Sequence, residues 1–158
     1  MQGGAWTRCL AIPEYQMTRR PDWPARLEAY LLRHASEKFK YGRSDCCLFV
    51  CDVLETMTGV DPAASFRGNY SSSKGAAGQI RAFCGRPSLK VLVEKICEQL
   101  GMPKIAPGLA RRGDIALIKR PRDYSVGIVG LDGRTVLVLA RSGIVKVPLS
   151  AAESAFRV

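Results

Sequence analysis

Long apolar runs are missing from this 158-residue chain. The longest, such as Val-Leu-Val-Leu-Ala at 136–140, falls far short of the roughly 20 residues a membrane-spanning helix needs, so a soluble protein without membrane insertion is expected. Paired C-x-x-C spacing is also missing, which argues against a zinc ribbon. The first residues, Met-Gln-Gly-Gly, lack the basic segment and apolar core of a signal peptide. Synthesis in a cytosol is therefore expected, with free thiols as the default. There is no internal repeat or low-complexity tract. With 47% hydrophobic and 24% charged residues, the composition excludes disorder, collagen-like repetition and coiled coil, and fits one globular domain. Histidine is nearly absent: His34 is the single one.

What the chain has in excess is positive charge. The net charge is +10, and residues 80–158 carry 14 basic against 6 acidic side chains. Arg111, Arg112, Lys119, Arg120 and Arg122 fall within 12 residues, offset only by Asp114 and Asp123. Such a patch can attract nucleic acid, anionic cell-wall polymer or an acidic protein surface. No helix combines a basic face with a recognised DNA-binding motif, so sequence-specific nucleic-acid binding is not expected. The six cysteines are Cys9, Cys46, Cys47, Cys51, Cys84 and Cys97. An iron–sulfur cluster could be held by Cys46, Cys51, Cys84 and Cys97 only through long-range convergence, so no metal or other cofactor is expected.

Residues 1–21 have no sustained period and read as an N-terminal arm, leaving 22–158 as one domain. From Asp22, apolar residues at 23, 27, 30, 31 and 35 predict an amphipathic helix reaching Phe39 and stopped by Gly42. Ser44 and Asp45 precede a strongly apolar helix from Cys46 to Gly59, the expected central buried element. A Ser/Gly loop at 71–78 leads to a short helix near Cys84, and Ser88 caps another that ends at Gly101. The period then changes to that of strands at 114–119, 125–130, 135–140 and 144–147, with Asp132-Gly133 and Ser142-Gly143 as hairpin turns. Helices followed by an antiparallel meander predict an α+β fold with N-terminal helices packed on a C-terminal sheet.

One constellation carries chemistry. Cys46 opens the buried helix, where unpaired backbone N–H groups and the positive end of the dipole stabilise a thiolate. It is the candidate nucleophile, whereas Cys47 and Cys51, one turn apart, read as core. Asp45 reads as a helix cap and Asp114 as a tie at a strand start. Arg67 and Tyr70 lie in a loop and serve equally well as interface anchors or as loop-ordering groups. His34 lies 12 residues before Cys46 beside the apolar stripe of its helix, a setting for packing rather than catalysis. Gly127 reads as an allowance for close sheet packing.

A helix opening with Asp45-Cys46, Gly113-Asp114 at a strand start, and Val126-Gly127-Ile128 in the next strand together resemble the NlpC-type branch of papain-like cysteine peptidases, which cleave peptide stems of bacterial cell wall. That resemblance implies Cys46 as nucleophile and a histidine immediately before Val126 as its base. The position holds Ser125, which cannot accept a thiol proton at neutral pH as imidazole does. More closely, the segments 42–46, 61–70 and 112–114, Val147-Pro148-Leu149 and the terminal Ala155-Phe156-Arg157-Val158 resemble an uncharacterised family of bacteriophage tail proteins, a divergent offshoot of those peptidases. This implies a structural or assembly component of the tail tip or distal tail, made in the host cytoplasm and carried in the virion. Its implied partners are the tape measure, distal tail and central tip proteins, with Arg111, Arg112, Arg120 and Arg122 docking acidic neighbours. The alternative is an active cysteine peptidase that degrades peptidoglycan during infection.

Overall fold

The computed structural model describes residues 17–158. Four helices come first: α1 (Trp23–Arg33), α2 (Cys46–Thr58), α3 (Ser73–Cys84) and α4 (Leu89–Gln99). Six strands follow: β1 (Lys104–Ile105), β2 (Ile115–Lys119), β3 (Tyr124–Val129), β4 (Thr135–Ala140), β5 (Gly143–Pro148) and β6 (Ala152–Phe156). The sheet is antiparallel throughout, in the order β1-β6-β2-β3-β4-β5. The α+β architecture is as expected, with α2 lying across the sheet and the other helices around it.

Local chemistry explains most boundaries. Asp45, Ser72 and Ser88 each cap a helix by accepting from a backbone N–H three residues on, and Gly59 and Gly85 end α2 and α3 in the left-handed conformation. The two-residue period of the strands splits the sheet into two apolar faces. Leu117, Val126, Ile128, Leu137 and Leu139 pack under the helices with Phe49, Val53 and Met57 of α2. Ala116, Ile118, Val129, Val136 and Val138 form a second cluster on the opposite face, covered by Val145, Val147 and Leu149. Gly127 permits the close approach of β3 to β4, because a Cβ there would lie 2.4 Å from the Leu137 carbonyl oxygen.

Three expectations are corrected. Helix α1 ends at Arg33 rather than Phe39. There the His34 ring stacks on Tyr30 with centroids 4.2 Å apart, and the chain leaves the helix so that Phe39 can pack edge-on against Tyr41. The strands are six rather than four. The two missed ones are β1, two residues long, and β6, whose Ala-Glu-Ser-Ala-Phe sequence has little intrinsic strand preference. β6 inserts between β1 and β2, burying Ala155 and Phe156, so the sheet is not a simple meander.

Residues just before 22 also contact the helices and the sheet. Arg20 N–H donates to the Met57 carbonyl at the end of α2, and Arg19 reaches Asp114 at the start of β2. Residues 1–16 of the expected arm lie outside the described residues.

Candidate functional site

Asp45 organises the start of α2. Its buried carboxylate accepts from the backbone N–H of Leu48 at 3.0 Å, from that of Gly42 at 3.1 Å, and from the Tyr70 hydroxyl at 2.5 Å. The loop before the helix is closed by a bridge between Lys40 and Ser44. Gly42 sits at φ +77°, where a Cβ would fall 1.7 Å from the Tyr70 carbonyl oxygen. Only glycine lets residues 42 and 70 meet. Asp45 therefore serves as cap and loop tie, with both carboxylate oxygens engaged.

The 61–70 loop is held at both ends on α2. Arg67 donates through Nη2 to Asp52 of α2 at 2.5 Å and through Nε to Asp61 at 2.8 Å, while Tyr70 closes the other end on Asp45. The two carboxylates hold the Arg67 guanidinium protonated well above its ordinary range. Of the two roles weighed for Arg67 and Tyr70, these contacts are those of loop ordering. Phe66 turns inward from the same loop to meet Phe83 of α3 edge-on.

Between this loop, α3, α4 and the start of β3 lies a cavity of about 250 Å³. Five aromatic side chains, Phe39, Tyr41, Phe66, Tyr70 and Tyr124, contribute to its wall. Three thiols open on it: Cys46, Cys47 and Cys51. Cys47 and Cys51 thus line the cavity as well as packing against the core. All five described cysteines are free. No three His, Cys, Asp or Glu side chains among the described residues are grouped to hold a metal ion.

Cys46 is half-buried at the first turn of α2. A hydrogen bond from the Cys47 thiol draws its own thiol below the ordinary range, with help from the backbone of Val126 and Cys47 and against burial and the Asp45 charge. Cys47 is pushed up by that same hydrogen bond and by burial, and Cys51 is pushed up by burial. Alkylation rate follows the thiolate fraction, rising with pH until the thiol is fully ionised. Iodoacetamide should therefore label Cys46 with a half-maximal pH below that of an ordinary free thiol, while Cys47 and Cys51 stay unlabelled. Peptide mapping by mass spectrometry checks this; a midpoint at or above the ordinary thiol value would contradict it.

The base expected by resemblance is not beside this thiol. Ser125 lies on β3 next to Val126, and its Oγ accepts from the Arg120 Nε at 3.2 Å. His34 is elsewhere, stacked on Tyr30 with Nδ1 2.6 Å from the Glu37 carboxylate, and it does not line the cavity. The arrangement can present a reactive thiol to a bound group, but it supplies no imidazole to shuttle a proton.

The basic patch divides. Arg111 and Arg112 flank the turn before β2, whereas Arg120 and Arg122 lie in the turn after it. The five residues of β2, at about 3.3 Å each, set the two pairs roughly 15 Å apart at opposite ends of the strand, so the four do not form one surface point. Asp114 ties the first turn as expected, and more strongly than a turn requires. Fully buried, it takes Arg19 at 2.5 Å, Arg157 at 3.3 Å, and the backbone N–H groups of Arg111 and Val158.

Sequence reading missed the aromatic wall and the Arg67–Asp52 tie. Phe39, Tyr41 and Phe66 lie in loop segments with no period to mark them, and the Gly42–Tyr70 meeting spans 28 residues. Among the described residues, no helix is long and apolar enough to cross a membrane. No curated protein matches the chain. Residues 18–158, nearly all that is described above, match a family profile, and by that match the chain belongs to the family described as a domain of unknown function (DUF6950).

Proposed function

We propose that this protein is a structural or assembly component of a bacteriophage tail, at the tip or distal region, built on a papain-like, NlpC-type fold that has lost its general base. The observation that carries the reading is the environment of Cys46. The thiol keeps its place at a helix start against the strand that reads Ser125-Val126-Gly127-Ile128, yet the position next to Val126 holds a hydroxyl engaged by Arg120. Loss of the base from a catalytic unit lowers its rate by several orders of magnitude. What such a fold retains is a rigid, basic domain able to dock the tape measure, distal tail and central tip proteins. The protein is then made in the host cytoplasm and carried in the virion.

A second reading has its own support. Cys46 is ionised more readily than an ordinary thiol and opens on a cavity, as a cysteine peptidase acting on peptidoglycan would need. A phage carrying Cys46→Ala separates the two. The tail reading expects virions that contain the variant protein and infect normally, together with no peptidoglycan cleavage by the purified wild-type domain. Cleavage by wild type, lost with Cys46→Ala along with infectivity, would overturn it in favour of the peptidase; absence of the protein from purified virions would overturn the tail placement itself.

A further inference from the structure

We infer that the end of the sheet around Trp23 is a docking site for an acidic, partly apolar segment of another protein. The inference does not rest on the tail reading, because it follows from one surface feature alone. An open depression of about 360 Å³ is lined by Arg19, Trp23, Arg111, Arg112 and Gly133. The Arg19 guanidinium lies 4.6 Å from the Trp23 ring centroid and that of Arg112 lies 5.9 Å from it, so two cations face one aromatic ring.

The charges there are unequal in their commitments. Arg19 is spent on Asp114 and on the Arg112 carbonyl. Asp114 is fully buried and is engaged by Arg19, Arg157 and the backbone N–H groups of Arg111 and Val158, so it makes no ion pair with the Arg111 or Arg112 side chain. Arg111 and Arg112 are exposed, and among the described residues neither side chain makes an ion pair or a hydrogen bond. The nearest acid along the hairpin, Asp132, accepts three hydrogen bonds within its own turn, from the backbone of Arg134 and Thr135 and from the Thr135 hydroxyl. Two guanidiniums thus remain to receive carboxylates, each able to bind one in bidentate fashion.

The surroundings select the kind of anion. Leu109, 64% exposed, is one of only two strongly exposed large apolar side chains among the described residues, and it precedes Arg111 by two positions. Its carbonyl accepts from Arg157 Nη2 at 2.7 Å, which fixes it beside the Asp114 cluster. An aromatic ring and two unpaired arginines, with an exposed leucine two positions before the first of them, make the mixed apolar and basic surface that protein interfaces favour. A nucleic acid would need a stripe of free cations tracking successive phosphates, whereas Arg19 and Arg157 beside this turn are already paired with Asp114.

The test uses the full chain and fluorescence anisotropy with a labelled peptide of alternating Glu and Leu residues. Its controls are the same peptide with Gln for Glu and a short duplex DNA. Wild type should bind the acidic peptide and not the Gln peptide. Arg111→Glu with Arg112→Glu should weaken binding at least about tenfold, while Arg120→Glu with Arg122→Glu leaves it within about threefold. If the first pair fails to fold by circular dichroism, Arg111→Ala with Arg112→Ala serves instead, with a loss of about fivefold or more expected. Equal loss from the two pairs, no binding by wild type, equal binding of the Gln peptide, or displacement of the peptide by DNA at lower concentration would each overturn the proposal.

Discussion

Changing Asp114 to alanine should cost about 4 kcal/mol and lower the Tm by roughly 8–16 °C, the largest single-site loss expected in this chain. The carboxylate is fully buried and joins three parts of the molecule that are remote in sequence: Arg19 before α1, the turn that opens β2, and Arg157 and Val158 at the end of the chain. Removing it strands two guanidiniums and two backbone N–H groups around a small void. The guanidiniums keep some contact with water, their side chains being 18% and 34% exposed, which holds the expected loss below the top of the range for a broken buried ion pair. Asp114→Asn keeps an acceptor for the backbone N–H groups but not the charge, and should lose about half as much. Thermal unfolding followed by circular dichroism measures both. A fall in Tm under about 3 °C for the alanine variant would show that the cluster contributes little.

Asp45→Ala should be nearly as costly, at about 3 kcal/mol, for a different reason. A lost helix cap accounts for about 1 kcal/mol, and the stranded Gly42 N–H and Tyr70 hydroxyl for about 1 kcal/mol each. Because Tyr70 is one of the two ties of the 61–70 loop, the loss should also loosen the wall of the Cys46 cavity. Faster hydrogen exchange at residues 66–70 with unchanged exchange in β2–β4 is the expected pattern. Asp45→Asn still caps the helix and should be milder. It also removes the negative charge that opposes ionisation of Cys46, so the half-maximal pH of Cys46 alkylation should fall further below that of wild type. A rise in that pH would show that the carboxylate orients the thiol rather than opposing its charge.

Both residues were visible in the sequence as ties, Asp45 by its place before an apolar run and Asp114 by its place at a strand start. Their partners were not visible. The Asp45–Tyr70 bond spans 25 residues and the Asp114–Arg19 pair 95, and nothing local marks such contacts. The same limit explains β6. Strand pairing with β2 is a property of the assembled sheet, and Ala-Glu-Ser-Ala-Phe carries no alternation strong enough to announce it.

Local sequence sets the helices, strands β2 to β5, their turns, and Cys46 at a helix start, because each depends on neighbours within a few positions: side-chain period, a capping oxygen, or a glycine free to take positive φ. Only the tertiary structure decided what surrounds that cysteine, that Arg67 and Tyr70 face inward, and that four arginines close in sequence are two separate surfaces. Those outcomes depend on how distant segments meet across the sheet. A five-residue strand is enough to carry neighbouring charges to its two opposite ends.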